Sequence, residues 1–272
     1  MVGVRPPFPD RLITSLTNDT VKAVRALHMR KEREATGRFL AEGLKFIGEA
    51  LDQDRAPRLL LVGEEARPHP ILDRAREATR VAGGEVVIVT HAILEKISRR
   101  DNPQTVLGVF DQVYVPLSAI EPATAPAWVA LEQVRDPGNL GTIIRTADAA
   151  GCGGVILIGD CVDPYSVEAV RATMGSVFAV AIARVTAAEF LAWRQSWPGS
   201  VVGTRLDAAT GYRDAAIQHP ALILMGNEQA GLTDALAAAC DVNVKIPMRG
   251  RADSLNLAVA TGIMAYAVTD GV

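Results

Sequence analysis

Polar side chains of the types that bind and orient a substrate occur in three segments of the second half of the chain. They are Asn139 and Arg145 in RDPGNLGTIIR, Glu228 in GNEQAG, and Ser254 with Asn256 in MRGRADSLN. A guanidinium binds planar or anionic groups, and carboxylates and amides can position a hydroxyl. Each segment follows an apolar stretch that is typical of a strand, and α/β sheets bind ligands at the carboxyl ends of their strands.

Each segment also has an ordinary structural interpretation. Asp253, Ser254 and Asn256 are predicted in the first turn of the final helix, where they could simply cap it. Asn139 is a candidate cap of the helix that carries Arg145, and GNEQAG could be a plain turn from strand to helix. Gly141 lies one turn before Arg145, and we expect its missing side chain to leave the guanidinium open to a ligand.

Two classes of site are disfavoured by the motifs. Neither half has a glycine triplet after its first strand, as a dinucleotide site or an ordinary Rossmann methyltransferase would. The three cysteines show no C-x-x-C spacing and there are only four histidines, so neither a disulfide framework nor a structural zinc site is expected. We predict no metal.

The pattern around these segments is an alternation of strands and helices along the whole chain, which predicts mostly parallel sheets covered by helices. In the second half, Leu140, Ile143, Ile144 and Ala147 follow helical spacing and should face the sheet. A further strand is predicted over 178–182. The final helix is apolar nearly all round, so it should be buried against other elements of the chain or against a second subunit.

In the first half, one amphipathic helix is predicted over 18–36, with Val21, Val24 and Leu27 as its apolar stripe and Gly37 as its end. The segment 115–127 contains three prolines and little periodicity, which is typical of an extended linker. We therefore predict a small domain over 1–115, a linker over 116–127 and a second domain over 128–272.

Taken together, the three motifs resemble those of the SpoU or TrmH family in order and spacing. They are N-x-G-x-x-x-R at 139–145, G-x-E-x-x-G at 226–231, and I-P-M-x-G followed by S-L-N at 246–256. Members of that family methylate ribose 2′-hydroxyls of RNA with S-adenosylmethionine. The segment RFLAEGLKFIGEAL also resembles, more weakly, the small RNA-binding domain, akin to an α/β ribosomal protein, that many members carry in front.

This resemblance implies a parallel sheet whose C-terminal segment forms a trefoil knot, a feature rare enough that only the resemblance suggests it. A homodimer is expected from the apolar final helix. The resemblance places the cofactor against backbone groups of Gly226, Ile246 and Leu255, with Thr204 as a further wall of the same pocket.

The resemblance gives Arg145 the key role in catalysis, with Asn139, Glu228, Ser254 and Asn256 positioning it or the hydroxyl. A guanidinium with a pKa above about 12 is a poor base at neutral pH, so orientation of the ribose and its phosphate is the safer role. The group that takes the proton stays open.

The charge is unevenly distributed over a chain whose net charge is −3. Residues 1–120 hold 18 Lys or Arg against 16 Asp or Glu, whereas the remainder holds 10 against 15. An electronegative domain repels phosphates, so RNA docking is predicted on the first domain. The candidate residues are Lys22, Arg25, Arg30, Lys31, Arg33 and Arg38, with the alternative that they are a solvated helix face.

The favoured interpretation is a homodimeric RNA 2′-O-methyltransferase acting on large-subunit ribosomal RNA. Transfer RNA is the alternative substrate, a noncatalytic RNA-binding protein is the contrasting class, and a dinucleotide-dependent oxidoreductase is disfavoured. The chain has no apolar run long enough to cross a membrane and no secretory signal, so a cytoplasmic location is expected.

Overall fold

The computed structural model describes residues 10–270, which divide into two units between Gln112 and Val113. The segment 116–127 is not an extended linker, because it packs on the second unit. It forms two 3-10 turns, Leu117–Ala119 and Pro122–Thr124, and Ile120 between them is buried in the core of that unit. Proline favours tight turns as well as extended chain, so composition alone does not separate the two.

The first unit is a five-stranded sheet with helices. Its strands are β1 Arg11–Ile13, β2 Arg38–Glu42, β3 Leu59–Gly63, β4 Glu85–Val89 and β5 Val106–Asp111. Its helices are α1 Asp19–Ala26, α2 Arg30–Thr36, α3 Leu44–Asp52, α4 Pro70–Val81 and α5 His91–Ser98. The strand order is β1-β4-β3-β5-β2, and β5 runs antiparallel to both of its neighbours. The sheet is therefore mixed rather than mostly parallel, because alternation along the chain does not fix the direction in which each strand pairs.

The helix predicted over 18–36 is broken into α1 and α2. Met29 has extended backbone angles, with φ −92° and ψ 128°. Two side chains hold the break: Arg33 Nη1 donates to Leu27 O at 2.8 Å, and His28 Nε2 lies 2.7 Å from Ile97 O. The predicted stripe of Val21, Val24 and Leu27 is nevertheless buried, and Gly37 ends α2 at φ +64° as predicted.

The second unit is a seven-stranded sheet in which every pairing is parallel, in the order β10-β12-β9-β11-β6-β7-β8. The strands are β6 Ala127–Glu132, β7 Gly154–Ile158, β8 Ala181–Val185, β9 Val201–Thr204, β10 Thr210–Gly211, β11 Ala221–Met225 and β12 Val242–Lys245. The helices are α6 Pro137–Ala149, α7 Val167–Thr173, α8 Ala187–Trp193, α9 Asp234–Ala238 and α10 Leu257–Thr269. Strands β6, β7 and β11 are buried along their whole length, as strands covered on both faces are.

Two predictions about these elements need correction. The strand predicted over 178–182 begins at Ala181, because Ser176–Phe178 closes a 3-10 turn. The final helix begins at Leu257, so Asp253 and Ser254 belong to the preceding loop and only Asn256 is its cap.

Helix α10 returns from the β12 side of the sheet to pack on α6, β6 and β11. The trefoil knot stays a prediction of the family resemblance. Among residues 10–270, no helix has both the length and the apolar character needed to span a membrane.

Candidate active site

The three predicted motifs meet at one edge of the second sheet. Strands β12, β9, β11 and β6 are neighbours in that order, and all four run in the same direction. Their carboxyl ends therefore lie together, and the loops that follow them carry the motif residues. This is the edge at which parallel α/β sheets bind ligands.

Glu228 links the second motif to the first. Its carboxylate oxygens lie 3.3–3.4 Å from the backbone N of Arg135, and one of them lies 3.4 Å from Asp136 N. The same oxygen accepts a hydrogen bond from Asn139 Nδ2 at 3.3 Å. These contacts hold the Glu228 carboxylate at the start of α6.

Asn256 links the third motif to the first. Its Oδ1 accepts hydrogen bonds from Ala258 N at 2.9 Å and Val259 N at 3.3 Å, which caps α10. Its Nδ2 donates to Asn139 Oδ1 at 2.8 Å. The Asn256 side chain therefore caps the final helix and also orients the amide of Asn139, which faces Glu228.

Two residues that the motif analysis missed hold these loops in place. Asn227 Nδ2 donates to Gln133 O at 2.7 Å, and the main chains of Asn227 and Gly231 bond to each other and close the loop. Asp136, not Asn139, caps α6 by accepting from Asn139 N at 2.6 Å. The Asp-Pro pair at 136–137 is a recognisable helix start, whereas the contact of Asn227 spans 94 residues and has no local signal.

A cavity of about 610 Å³ opens beside this network. That volume is within the range of small-molecule sites. All four residues predicted to bind a cofactor line it, together with Asn139, Glu228, Ser254 and Asn256 of the predicted catalytic set. The cofactor candidates are Thr204, Gly226, Ile246 and Leu255.

The walls of the cavity combine apolar and polar groups. Met225, Leu232 and Leu257 contribute apolar surface, and Asp207 and Glu228 contribute carboxylates. The Oγ1 atom of Thr204 is buried and has no hydrogen-bond partner among the described residues. A ligand with an apolar part and polar groups, one of them a hydrogen-bond partner for Thr204, matches this set of groups.

Arg205 and Asp207 also border the cavity and were not predicted. Their side chains form a two-pronged ion pair, with distances of 2.8 and 2.9 Å. Hydrogen bonding to Asp207 raises the pKa of Arg205, and the same contact lowers the pKa of Asp207. The pair therefore stays charged at neutral pH.

Arg145 does not line the cavity. It is exposed on α6, about 9 Å along the helix axis from Asn139, and it makes no hydrogen bond or ion pair within residues 10–270. The expectation that Gly141 leaves an open approach to Arg145 is wrong. A Cβ at Gly141 would lie 2.3 Å from Ala169 O, so this glycine allows α6 and α7 to pack closely.

The cysteines offer no nucleophile to this site. Burial raises the pKa of Cys152 to about 11 and that of Cys240 to about 12, and it also raises the pKa of Cys161. All three thiols are neutral at pH 7, and a neutral thiol is a weak nucleophile. Within residues 10–270, no three His, Cys, Asp or Glu side chains are grouped as they would be to hold a metal ion.

Most of the predicted RNA-binding residues in the first unit have partners within the protein. Arg33 is 3% exposed and bonds to Leu27 O, so it supports the chain between α1 and α2 and does not face solvent, contrary to prediction. The other paired cations are Lys22 with Asp19, Arg30 with Glu34, and Arg38 with Asp111. Arg25 and Lys31 have no such partner in the part of the chain that the structure describes.

Comparison with protein families gives two matches. The SpoU rRNA Methylase family matches residues 126–266, and the MRM3-like substrate binding domain matches residues 18–108. Together they cover both units.

Similar proteins align over nearly the whole chain. The 23S rRNA (guanosine(2553)-2′-O)-methyltransferase RlmP of Bacillus subtilis is 32% identical, over 93% of this chain and 97% of its own. The 23S rRNA (uridine(2479)-2′-O)-methyltransferase of Streptomyces viridochromogenes is 32% identical, over 98% and 94%. The crystal structure of an AdoMet-bound rRNA methyltransferase from Sinorhizobium meliloti superposes with a TM-score of 0.89, at 48% identity over 95% of this chain and 97% of that one.

Proposed function

The chain belongs to the SpoU rRNA methylase family, and we propose that it methylates a ribose 2′-hydroxyl of 23S ribosomal RNA, with S-adenosylmethionine as the methyl donor. The observation that carries this proposal is the chain of contacts from Asn256 through Asn139 to Glu228 at the mouth of the cavity. Three separate loops converge there, and each contributes the residue that its motif requires.

The cavity suits S-adenosylmethionine. Its apolar walls can pack on an adenine ring, and the buried Oγ1 of Thr204 has no partner among the described residues, so a cofactor could hydrogen-bond to it. Glu228, which forms no ion pair among residues 10–270, faces the cavity and can attract a cationic ligand. No glycine fingerprint is needed for such a site. When bound, this cofactor supplies a methyl group already activated for transfer to a nucleophile.

The residues of the chain position the other reactant. The Arg145 guanidinium is exposed and free of partners among residues 10–270, so its fork of donors can hold the phosphate and ribose of the target nucleotide. Asn139 cannot turn freely, because Asn256 holds its oxygen and Glu228 holds its nitrogen. The amide thereby presents a fixed set of donor and acceptor directions to the hydroxyl.

Two further features complete the proposal. One face of helix α10 is buried, whereas Val259 and Tyr266, two turns apart on another face, are exposed. A second copy of the chain would cover them.

The first unit, matched by a substrate-binding domain, supplies RNA affinity that the acidic second unit lacks. The enzyme would act in the cytoplasm on ribosomal RNA.

The direct test is the variant Arg145→Ala. Its side chain packs against nothing that holds the fold, so thermal stability and S-adenosylmethionine affinity should change little. Transfer of labelled methyl groups to a 23S rRNA transcript should fall by more than about tenfold, which is roughly 1.4 kcal/mol. Arg213→Ala removes an exposed arginine from the same unit and should leave the rate unchanged. If Arg145→Ala keeps its activity within about tenfold of the wild type, Arg145 has no essential role in methyl transfer.

The choice of RNA is tested in the same assay. A transcript of 23S rRNA should accept methyl groups, and bulk transfer RNA should not. Ribose-methylation mapping of the product locates the nucleotide. Methylation of transfer RNA alone would replace the proposed substrate.

A further inference from the structure

A shallow groove of about 650 Å³ lies on the first unit, where α1 and α5 pack side by side. Four cationic side chains border it: Arg25 in the last turn of α1, Lys96 in the last turn of α5, and Arg99 and Arg100 just after α5. The carboxylates that border it are Glu95 and Asp101. Positive charge therefore exceeds negative charge at this one place.

These four cations differ from most others of the first unit in having no partner. Within the described residues, Arg25, Lys96, Arg99 and Arg100 make no hydrogen bond or ion pair through their side chains. By contrast, Arg30 pairs with Glu34, Arg58 with Asp111, and Arg74 with Asp52, at distances of 2.6–2.8 Å. A paired cation has little net charge to offer a ligand, whereas an unpaired one retains it.

The groove is built on a well-packed support. Val21 and Val24 of α1 and Ile93, Leu94 and Ile97 of α5 share one buried cluster. His28 Nε2 lies 2.7 Å from Ile97 O and ties the end of α1 to α5. Since the two helices are fixed to each other, the backbone positions from which Arg25 and Lys96 extend are fixed as well.

We propose that this groove, rather than the whole basic face of α1 and α2, is where the sugar-phosphate backbone of the RNA docks. The inference rests on the proposed function, since it assigns a docking surface to that RNA. Unpaired cations on a rigid support match a polyanion, and Leu16, 41% exposed at the groove, offers apolar contact to a sugar or base. Lys22 and Arg30 are paired with Asp19 and Glu34, so we expect them to contribute less.

The test compares two triple variants of the full chain that remove the same charge. The groove variant is Arg25→Gln, Lys96→Gln and Arg100→Gln, and the matched control is Arg30→Gln, Arg58→Gln and Arg74→Gln. Binding to a 23S rRNA transcript is measured by filter binding across a KCl series. The groove variant should bind at least about tenfold more weakly, and its slope of log K against log salt should fall by about 2, because each lost phosphate contact lowers the slope by about 0.7–0.9. The control should stay within about twofold of the wild type.

A single change, Lys96→Glu, gives a second measurement with minimal risk to folding because the side chain is exposed. It should weaken binding by about threefold or more. Equal losses in the groove variant and the control would overturn the proposal, since only net charge would then matter. Wild-type affinity in the groove variant would also overturn the proposal. Neither result bears on the proposed function, which is tested separately by whether the wild type methylates 23S rRNA.

Discussion

At the scale of single residues, Asn256 connects the stability of a helix to the geometry of the active site. Its oxygen caps α10 and its nitrogen holds Asn139. Asn139 cannot compensate for loss of that donor by turning its amide, because its own nitrogen is engaged by Glu228. The two roles of Asn256 therefore use different atoms and can be separated by substitution.

Asn256→Asp should keep the cap and lose the donor, whereas Asn256→Ala should lose both. In urea unfolding, the Ala variant should lose about 1 kcal/mol with its cap. The Asp variant keeps the cap and should lose stability only through the carboxylate oxygen that then faces Asn139 Oδ1. Methyl transfer should fall in both, by about tenfold or more, because Asn139 is no longer held. Wild-type turnover in Asn256→Asp would show that the contact with Asn139 has no part in positioning.

At the scale of elements, the close packing of α6 against α7 sets where the first motif lies. A Cβ at Gly141 would meet Ala169 O at 2.3 Å and the Cβ of Ala172 at 2.5 Å. Separations below about 3 Å are not tolerated by real Cβ atoms, so the two helices would have to move apart. Asn139 and Arg145 are carried by α6, and they would move with it.

Gly141→Ala should therefore destabilise the protein by about 1–3 kcal/mol, although alanine favours a helix over glycine by about 1 kcal/mol. Urea unfolding measures the change, and Thr142→Ala, at an exposed position of the same helix, should stay within about 0.5 kcal/mol of the wild type. An increase in stability for Gly141→Ala would mean that the helices have room that the distances do not show.

The sequence predicted elements whose signal is local. Leu140, Ile143, Ile144 and Ala147 are buried as their helical spacing predicted, and Gly37 ends α2 as predicted. The break between α1 and α2 was missed, since it depends on Ile97, which is far away in sequence. The motifs indicated that Asn139, Glu228 and Asn256 act together, and the structure joins them in one network. The contacts of Asn227, Asp136 and Arg205 were not predicted from the sequence.

At the scale of the whole molecule, we propose that each unit carries one task. Every residue proposed to contact the cofactor lies in the second unit, and the groove proposed for RNA lies in the first. The overall charge differs between them in the direction that this separation requires. A fragment that contains the second unit alone should therefore keep one task and lose the other.

The position of the cut decides whether that fragment is stable. Tyr165 Oη donates to Val113 O at 2.6 Å and accepts from Val113 N at 3.1 Å, and Val115 N donates to Ile182 O at 2.9 Å. Ile120 is buried in the same core. The segment 113–120 is thus part of the second unit.

We predict that the fragment 113–272 folds, binds S-adenosylmethionine as the full chain does, and forms dimers, while binding 23S rRNA far more weakly. Calorimetry, light scattering and filter binding measure these three properties. The fragment 121–272 should be less stable by about 2–5 kcal/mol, because removal of Ile120 and its neighbours opens the core as a large-to-small substitution does. If 113–272 stays monomeric, the exposed side of α10 is not a dimer interface. Failure of a folded 113–272 to bind the cofactor would reject the assignment of the cavity, since every residue that lines the cavity is present in that fragment.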